Sequence, residues 1–483
     1  MHKPYYVYNY ELIQKAEKKT FEKIDSFQIM QKAAQACFKY ITENFKLKKT
    51  LILCGKGNNG GDGVLIAQYL LKEKFNIDIH YPFGLPKNND GERAFKLLEN
   101  NSLIKQDINF NNYEVIIDSL FGTGFNKKIN AATTLLFNSI NESQSFIISI
   151  DIPSGIYVNN GQIGETAIKA NLTLSLHRYK AGHWLLPGKE YCGKTIVLDI
   201  GLANLDRECS VKLNYPRKKP IPTLSDHKFK RGTCCVIAGE NLIGAAKLAF
   251  FSASQSALRA GAGLCKLFIH KSQVFFFKSD VIEEMLITYE DVNHFVSIFE
   301  DINCDTIIFG CGIQNNFSNI KILKLLLKQS KNLVLDATAF SIIQDNKNDI
   351  FSLLKSRSGK TVMTPHAGEF KKIFNVTNNK INDCLLAAKE CNSIILYKGN
   401  DTVIASPNGE VYINSDTSPY LATAGSGDVL AGLIGGFLSQ GLESLESARL
   451  GCYVHSQCGI NLGPGLIARD LINEIPKVLK KIN

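Results

Sequence analysis

The chain has 483 residues, of which 45% are hydrophobic and 21% are charged, and its formal net charge is +10. This length exceeds what one compact core holds, so two or more domains are expected. The first residues lack the apolar run of a signal peptide and no long uncharged apolar segment follows, so we expect a cytoplasmic protein with no membrane partner. Its 55 lysines and arginines are dispersed rather than gathered in a block, which argues against nucleic acid as a partner.

The cysteines are typical of a reducing compartment. They number 13 and are scattered along the chain, and no two of them form a C-x-x-C pair. That spacing gives no indication of a zinc or thiol-redox site. We therefore predict reduced and mostly buried thiols.

A change in composition marks a domain boundary. Residues 214–222, NYPRKKPIP, contain three prolines and three consecutive basic residues, which is typical of an extended linker. On either side, short apolar runs alternate with helical patterns, which indicates α/β domains with parallel sheets. We therefore predict two α/β domains, at residues 1–215 and 222–483.

A glycine loop follows the first strand of the first half. Helical patterns cover residues 9–46, and the short apolar strand at 51–54 then runs into GKGNNGGDG at 55–63. A helix is predicted over 64–72. Strand, glycine loop and helix in this order hold a phosphate at the carboxyl edge of a parallel sheet. Glycine is common in tight turns, but the core of residues 58–62 is more specific than a generic dinucleotide-binding loop.

Two further strands of this half end in an aspartate. Residues 115–117 lead into Asp118 and residues 146–150 lead into Asp151. Either aspartate taken alone is more often an ordinary loop cap. Because the carboxyl ends of adjacent parallel strands converge, the two carboxylates and the glycine loop together predict one site.

These motifs resemble the NAD(P)H-hydrate epimerase domain: GKGNNGGDG, DSLFGTG from residue 118 and DIPSG from residue 151. The resemblance implies a Rossmann-like three-layer fold and a site for a hydrated nicotinamide cofactor. It also implies that K⁺ is held by Asn59, Asp118 and Ser154, whose oxygen ligands suit an alkali cation. Asp151 is then the candidate catalytic acid or base, with Lys127 as a second candidate. The implied substrate contacts are Asn58, Asn59, Gly60, Gly61, Asp62, Gly122, Thr123, Gly124, Phe125, Asn126, Lys127, Lys128 and Asp151.

In the second half, small and polar residues follow nearly every predicted strand. A ligand is therefore expected along that edge of the sheet. The predicted elements are strands at 233–238, 264–269, 306–309, 333–335, 362–363 and 394–397, and a helix at 244–258.

One stretch of this half places an acid directly after a glycine turn. In LATAGSGDVLAGLIGG, residues 421–436, Asp428 follows Gly425 and Gly427 at the predicted start of a helix. Backbone N–H groups at such a turn bind phosphate. The aspartate either caps the helix or takes a proton from a hydroxyl that attacks a phosphoryl group.

The motifs HKFKRG, GAGL, TPHAGE, KGNDT and AGSGD, in this order, resemble the NAD(P)H-hydrate dehydratase domain of the ribokinase-like superfamily. The resemblance implies that ADP with Mg²⁺ drives removal of the C6 hydroxyl of the hydrated cofactor, with Asp428 as the catalytic base. It places Ala262, Gly312, His366 and Asp428 on the hydrated cofactor. It places Lys398, Gly399, Asn400, Asp401, Thr402 and Gly427 on the nucleotide. His366 could instead cap a helix or form a hydrogen bond in the core. Glu369 either orients the site or only begins a helix.

The chain departs from the family pattern at three places. Thr338 stands where a second aspartate is expected, and Cys311 replaces a proline between two glycines. Residues 417–420, TSPY, lack the usual Gly-Asn and following glycine. These changes are expected to alter affinity, and they leave Asp428 in place.

The first interpretation is a bifunctional enzyme that interconverts the R and S epimers of hydrated NADH or NADPH and dehydrates the S form with ADP. A homo-oligomer is expected. One alternative is a vitamin or sugar kinase, in which Asp428 serves equally well, although such a kinase has no use for GKGNNGGDG. The other is a module that senses nucleotide without turnover, against which Asp118 and Asp151 argue. No Walker-type P-loop occurs in the sequence.

Overall fold

The computed structural model describes residues 5–98, 101–216, 218–238, 243–277 and 281–482. The chain divides into two compact units, Met1–Lys212 and Leu213–Asn483. Among the helices of the described residues, none combines the length and apolar character needed to cross a bilayer. All 13 cysteines are buried and free, as predicted.

The first unit is built on a six-stranded parallel sheet in the order β3-β2-β4-β5-β6-β8. A short parallel pair, β1 with β7, lies outside it. Its strands are β1 Val7–Tyr8, β2 Thr50–Cys54, β3 Ile77–His80, β4 Val115–Ser119, β5 Phe146–Ile150, β6 Leu172–Leu176, β7 Tyr179–Lys180 and β8 Lys194–Leu198. Its helices are α1 Tyr10–Phe21, α2 Ser26–Asn44, α3 Asn58–Lys72, α4 Asn89–Lys96 and α5 Ala131–Asn141.

Both faces of this sheet are covered. Alternate residues of β2 belong to different cores, since side chains alternate between the two faces of a strand. Ile52 packs with side chains of α2 and α3, and Leu53 packs with Phe137 of α5. The unit is therefore a three-layer α/β structure, as the resemblance implied.

The glycine loop is shorter than predicted. The sequence suggests a loop as far as residue 63, but α3 already begins at Asn58, with Gly57 as its N-cap. Successive glycines lower helix propensity, yet tertiary packing overrides it, because residues 59–67 of this helix are all buried. The predicted substrate residues of the loop thus form the first turns of a helix.

The second unit is built on a sheet in the order β12-β11-β10-β13-β14-β15-β16-β17-β18-β9, in which the run from β12 to β16 is parallel. β17 pairs antiparallel with both β16 and β18. The strands are β9 Val211–Leu213, β10 Thr233–Ile237, β11 Leu264–His270, β12 Met285–Tyr289, β13 Thr306–Phe309, β14 Asn332–Leu335, β15 Thr361–Met363, β16 Ile394–Tyr397, β17 Val403–Ala405 and β18 Val411–Ile413.

The helices of this unit are α6 Ile243–Ala260, α7 Val274–Phe277, α8 Val292–Glu300, α9 Phe317–Lys328, α10 Thr338–Asp345, α11 Lys347–Ser356, α12 Ala367–Ile373, α13 Lys380–Cys391, α14 Ser426–Ser439, α15 Ser444–Leu462 and α16 Ala468–Lys480. Helix α14 is buried along almost its whole length. It lies directly on α6, because a Cβ at Gly432 would come within 2.3 Å of the Ala253 carbonyl. This close packing fixes the helix whose first turn carries Asp428.

Candidate functional sites

A cavity of about 580 Å³ opens at the carboxyl edge of the first sheet. It lies where the ends of β4 and β5 meet the start of α3, the position in which parallel α/β sheets bind ligands. Most of the predicted substrate residues line it, and so do residues that the sequence did not suggest. The predicted lining residues are Asn58, Asn59, Asp62, Gly122, Thr123, Gly124, Phe125, Asn126, Lys127, Lys128 and Asp151, and the others include Tyr10, Glu17 and Lys56.

Two predicted residues do not line this cavity. Gly60 lies against the backbone of Gly55, and Gly61 faces the side chain of Met30. Both glycines allow α3 to pack closely, and the neighbouring residues Asn59 and Asp62 line the cavity. Lys127 lines the cavity, but its side chain is exposed at the rim.

Asp151 pairs with a buried lysine that the sequence did not indicate. Lys180, at the end of β7, is 1% exposed and forms an ion pair with Oδ1 of Asp151. The same Oδ1 accepts a hydrogen bond from the Leu176 amide at 3.1 Å. Asp151 has a φ of +69°, a left-handed conformation that L residues rarely adopt. The fold thus holds this carboxylate in one orientation at the cavity wall.

Two more carboxyl groups line the same cavity. Burial raises the pKa of Asp62 well above its ordinary value, and the charges of Asp151 and Glu17 add to the effect. Burial followed by the charge of Asp151 also raises the pKa of Glu17. Oδ1 of Asp62 is buried and has no hydrogen-bond partner in the described residues. Perturbed carboxyls gathered in a cleft are typical of a catalytic site.

Of the three residues predicted to hold potassium, Asp118 and Ser154 are in direct contact and Asn59 lines the cavity. Asp118 is fully buried and accepts hydrogen bonds from the Ser154 hydroxyl at 2.6 Å and the Ser154 amide at 2.9 Å. Among the described residues, no cationic side chain forms an ion pair with this carboxylate. Both polar atoms of the Asn59 side chain are buried without a partner, and Oδ1 lies beside Gly122. The group is an all-oxygen donor set containing an uncompensated buried charge.

In the second unit, the start of α14 meets an ion pair at the ends of β14 and β16. Lys398 Nζ donates to Oδ1 of Asp336 at 2.7 Å. A Cβ placed on Gly427 would lie 3.5 Å from both Lys398 Nζ and Asp336 Oδ2. The structure therefore brings together predicted nucleotide residues from two distant motifs.

Asp428 lies beside Asp336 and Cys311. One ligand atom from each of these three residues falls within 4.8 Å of the others. Burial and then the charge of Asp336 raise the pKa of Asp428 to about 6, while a hydrogen bond from the Cys311 thiol opposes the shift. A carboxylate with such a pKa is suited to general base catalysis near neutral pH.

The first turn of α14 leaves the Gly427 amide without a partner in the described residues, while the Ser426 amide donates to the Thr423 carbonyl at 3.3 Å. Its N-cap is Gly425, with a φ of +83°, which has no side chain to cap the helix. The first N–H groups of a helix have no partner within the helix and carry partial positive charge. An anion is favoured at this position, next to Lys398.

His366 caps a helix. Its Nδ1 accepts the Gly368 amide at 3.0 Å, and its side chain is 60% exposed. Glu369 accepts the His366 amide in return, which completes a capping box. Burial raises the pKa of Glu369 to about 7. The structure therefore shows the helix-capping role that the sequence allowed for both residues. Glu369 also lies near the nucleotide residue Lys398, whose Nζ is 3.9 Å from its Oε2.

The remaining predicted nucleotide residues form a closed turn after β16. Thr402 Oγ1 donates to the Gly399 carbonyl at 2.6 Å, and the Asn400 carbonyl accepts from Thr417 Oγ1 at 3.0 Å. Asp401 pairs with Lys380 of α13, a residue that the sequence did not suggest.

Two predicted substrate residues of this unit pack against or beside α6. Gly312 has a φ of +65°, and a Cβ there would lie 2.7 Å from Cα of Ala246. Ala262 follows the end of α6, is 5% exposed and donates its amide to the Ala257 carbonyl. Gly312 directly follows Cys311 and so adjoins the Asp428 cluster.

Comparison with known families matches both units. The family described as NAD(P)H-hydrate dehydratase matches residues 234–477. The family described as YjeF-related protein N-terminus matches residues 26–182. Among solved structures, the ADP/ATP-dependent NAD(P)H-hydrate dehydratase from Bacillus subtilis co-crystallized with ATP/Mg²⁺ is 22% identical, with a TM-score of 0.47, over 55% of this chain and 94% of that one.

Curated relatives match nearly the whole chain. The bifunctional NAD(P)H-hydrate repair enzyme Nnr of Dictyoglomus turgidum is 30% identical over 94% of each chain. The enzyme of the same name from Moorella thermoacetica is 28% identical over 95% of this chain and 93% of its own. These matches agree with the first interpretation of the sequence. The chain belongs to the family of bifunctional NAD(P)H-hydrate repair enzymes, in which an epimerase half is joined to a dehydratase half.

Proposed function

We propose that the half at residues 1–215 interconverts the R and S epimers of hydrated NADH and NADPH. The observation that carries this proposal is the cavity in which Asp151, held by Lys180, faces the predicted substrate loop at residues 122–128. The reacting carbon bears a hydroxyl beside a ring nitrogen, so its inversion requires proton transfer. Asp151 supplies the carboxylate. The rim lysines, Lys127 and Lys128, place positive charge where a dinucleotide's phosphates enter.

The half at residues 222–483 dehydrates the S epimer with ADP, yielding AMP and phosphate. Asp428 takes the proton of the C6 hydroxyl, which then accepts the terminal phosphoryl group. The C6–O bond breaks and phosphate departs, C5 releases a proton to water, and the C5–C6 double bond forms. The Gly427 amide at the start of α14 and the Lys398 ammonium stabilise charge on the transferred group. The turn at residues 398–402 contacts the nucleotide, and Ala262, Gly312 and His366 contact the hydrated cofactor.

Potassium fits the group formed by Asn59, Asp118 and Ser154. Within the described part of the chain, Asn59 offers an amide oxygen that lacks a partner, Ser154 a hydroxyl, and Asp118 a buried carboxylate without an ion-pair partner. Oxygen donors with one negative charge suit a hard cation. When bound, K⁺ supplies a fixed positive charge beside the substrate.

Magnesium is proposed to enter the second site with the nucleotide. Asp336 offers carboxylate oxygens next to Gly427, and such ligands suit Mg²⁺. The Cys311 thiol in the same cluster is a ligand that this metal does not use.

The state of the cysteines bears on the cellular compartment of the protein. The 13 free and buried thiols support a reducing compartment, and we place the protein in the cytoplasm. Its expected homo-oligomeric state is tested by light scattering of the purified chain.

One assay tests both proposed activities. A mixture of R and S hydrated NADH is supplied with ADP, Mg²⁺ and K⁺, and the absorbance of reduced nicotinamide is followed. We expect a fast phase, as the S form is dehydrated, and a slow phase limited by conversion of R to S. Absence of the fast phase contradicts the dehydratase proposal. The R hydrate is also supplied to an isolated dehydratase of the family, which has no epimerase half. If the slow phase of the full chain is no faster than that reaction, the epimerase proposal is contradicted.

A further inference from the structure

The contacts of Lys180 define its charge. Its Nζ lies near three acceptors: Oδ1 of Asp151, Oγ of Ser175 at 3.0 Å and the Leu176 carbonyl at 2.8 Å. The Ser175 hydroxyl already donates its own proton to the Arg178 carbonyl at 2.8 Å, so it accepts from the lysine. Three acceptors require three N–H donors, and only the ammonium form has three. The buried ammonium thereby binds Oδ1 of Asp151 and fixes the orientation of that carboxylate.

The neighbouring histidine does not exchange protons with the cavity. His183 Nδ1 accepts the Lys180 amide at 3.1 Å, so its Nε2 carries the proton and donates to the Asp151 carbonyl at 3.0 Å. Both ring nitrogens are thus occupied by backbone groups, and burial lowers the pKa of His183 to about 3. This ring supports the left-handed backbone of Asp151 and supplies no acid.

Oδ1 of Asp151 is occupied by Lys180 and the Leu176 amide, whereas Oδ2 has no hydrogen bond in the described residues. Because Asp151 lines the cavity, Oδ2 is the oxygen available to substrate. A second carboxyl, that of Glu17 on α1, lines the same cavity and likewise has no described hydrogen bond.

Glu17 differs from the third carboxyl in its access to water. Oδ1 of Asp62 is enclosed, whereas Glu17 is partly exposed and also lines an open surface groove with Gln14, Lys18, Phe21 and Glu22. A side chain that faces both the cavity and the solvent can exchange its proton with water between turnovers.

We infer that Glu17 is the catalytic acid that partners the base Asp151 in epimerisation, and that Lys180 is the positioning residue that holds the Asp151 carboxylate in place. This inference rests on the proposed epimerase function. It assigns an acid and a base to the two sides of one cavity, where a single carboxylate leaves the second proton transfer without a donor.

The step balances as a reversible ring opening. Oδ2 of Asp151 takes the hydroxyl proton, the O–H electron pair forms a carbonyl at C6, and the bond from C6 to the ring nitrogen breaks. That electron pair passes to nitrogen, which receives the proton of Glu17. Rotation about the C5–C6 bond presents the other face of the aldehyde. On closure, nitrogen attacks C6 and returns its proton to Glu17, while the carbonyl oxygen takes its proton from Asp151.

The test uses the full chain and the two-phase assay. Glu17→Gln is expected to slow the second phase by about 100-fold or more, since general acid catalysis contributes on this order, and to leave the fast phase unchanged. Glu22→Gln, at the C-cap of the same helix and outside the cavity, is the matched control and should change neither phase. A Glu17→Gln slow phase within about threefold of wild type would overturn the assignment.

The pH profile separates chemistry from structure. The wild-type slow phase should be bell-shaped in pH, and Glu17→Gln should lose the alkaline limb, because that limb reports the protonated acid. An unchanged profile contradicts the inference. The other titratable or charged groups that face Glu17 across the cavity are Tyr10, Lys56, Asp62, Lys127, Lys128, Asp151 and Lys180.

Lys180 is tested by rescue. Lys180→Met should slow the second phase by about 100-fold or more, and Lys180→Arg, which keeps the positive charge, should recover at least about tenfold of that loss. Equal activity of the arginine and methionine variants contradicts the positioning role. If the methionine variant does not fold, the arginine variant still decides, because a displaced Asp151 carboxylate must lower kcat with little change in KM. If the slow phase of the wild-type enzyme is no faster than uncatalysed conversion of R to S, the proposed epimerase function itself is refuted.

Discussion

Lys398 donates a hydrogen bond to Asp336 across 2.7 Å, joining the ends of two strands of the second sheet. The Asp336 side chain is 3% exposed and that of Lys398 is 20% exposed. Burial alone would lower the pKa of Lys398, but the charges of Asp336 and Glu369 and the hydrogen bond to Asp336 together raise it above its ordinary value. The pair keeps a cation beside Gly427, where a phosphate is expected to bind.

Removal of that cation should destabilise the second unit. In Lys398→Met, Asp336 stays buried without its partner, and we expect a loss of about 3 kcal/mol in the free energy of unfolding. Adding Asp336→Asn should restore part of it, since the uncompensated charge disappears. Chemical denaturation of the two variants measures the difference. If the double variant is no more stable than Lys398→Met, the ion pair does not account for the loss.

Dehydration should depend on the ionised form of Asp428. Its pKa is raised to about 6, and a base acts only when deprotonated. The fast phase should therefore accelerate as pH rises through about 6 and remain level above it, a profile read directly from initial rates. Cys311→Ala removes the thiol hydrogen bond that lowers this pKa, so the midpoint should move upward. A downward shift would contradict the assigned contact.

Two glycines at the start of α14 should respond differently to alanine. Gly427→Ala places a methyl 3.5 Å from Lys398 and Asp336, an ordinary contact, so folding should be preserved. The same methyl occupies the proposed phosphate position, and the KM for ADP should rise by about tenfold or more. Gly425→Ala forces a φ of +83° on alanine and should cost about 1–2 kcal/mol of stability. Equal KM effects would argue against a phosphate site at Gly427.

Potassium should stabilise the first unit. A ligand that binds only the folded state adds about 2.7 kcal/mol at roughly 100 times its Kd. Thermal unfolding in KCl should therefore occur at a higher temperature than in choline chloride of equal ionic strength. Asp118→Asn removes the buried charge and should abolish this difference. A potassium effect that survives in Asp118→Asn would place the ion elsewhere.

Much of the fold could be predicted because it depends on the local pattern of apolar and polar residues along the chain. Apolar runs placed the strand at residues 146–150 without error, and aspartates at strand ends placed Asp118 and Asp151 at one edge of the sheet. The start of α3 was missed because its glycines are helical only through packing.

The partners of the site were harder to predict. Lys180 follows Asp151 by 29 residues and reaches it only through the pairing of β7 with β1, a contact without a sequence signal. Glu17 occupies an ordinary charged position of an amphipathic helix, and only its place on the cavity distinguishes it. The Cys311 contact with Asp428 likewise depends on the end of β13 meeting the start of α14 in three dimensions.

The most direct test of two independent sites compares Asp151→Asn with Asp428→Asn in the two-phase recovery of reduced nicotinamide. We predict that Asp151→Asn keeps the fast phase and loses the slow one. We predict that Asp428→Asn loses both phases of recovery but still equilibrates the two epimers, as chromatography of the hydrates would show. If either substitution stops both dehydration of the S form and exchange of the epimers, the two activities share one site and this account is wrong.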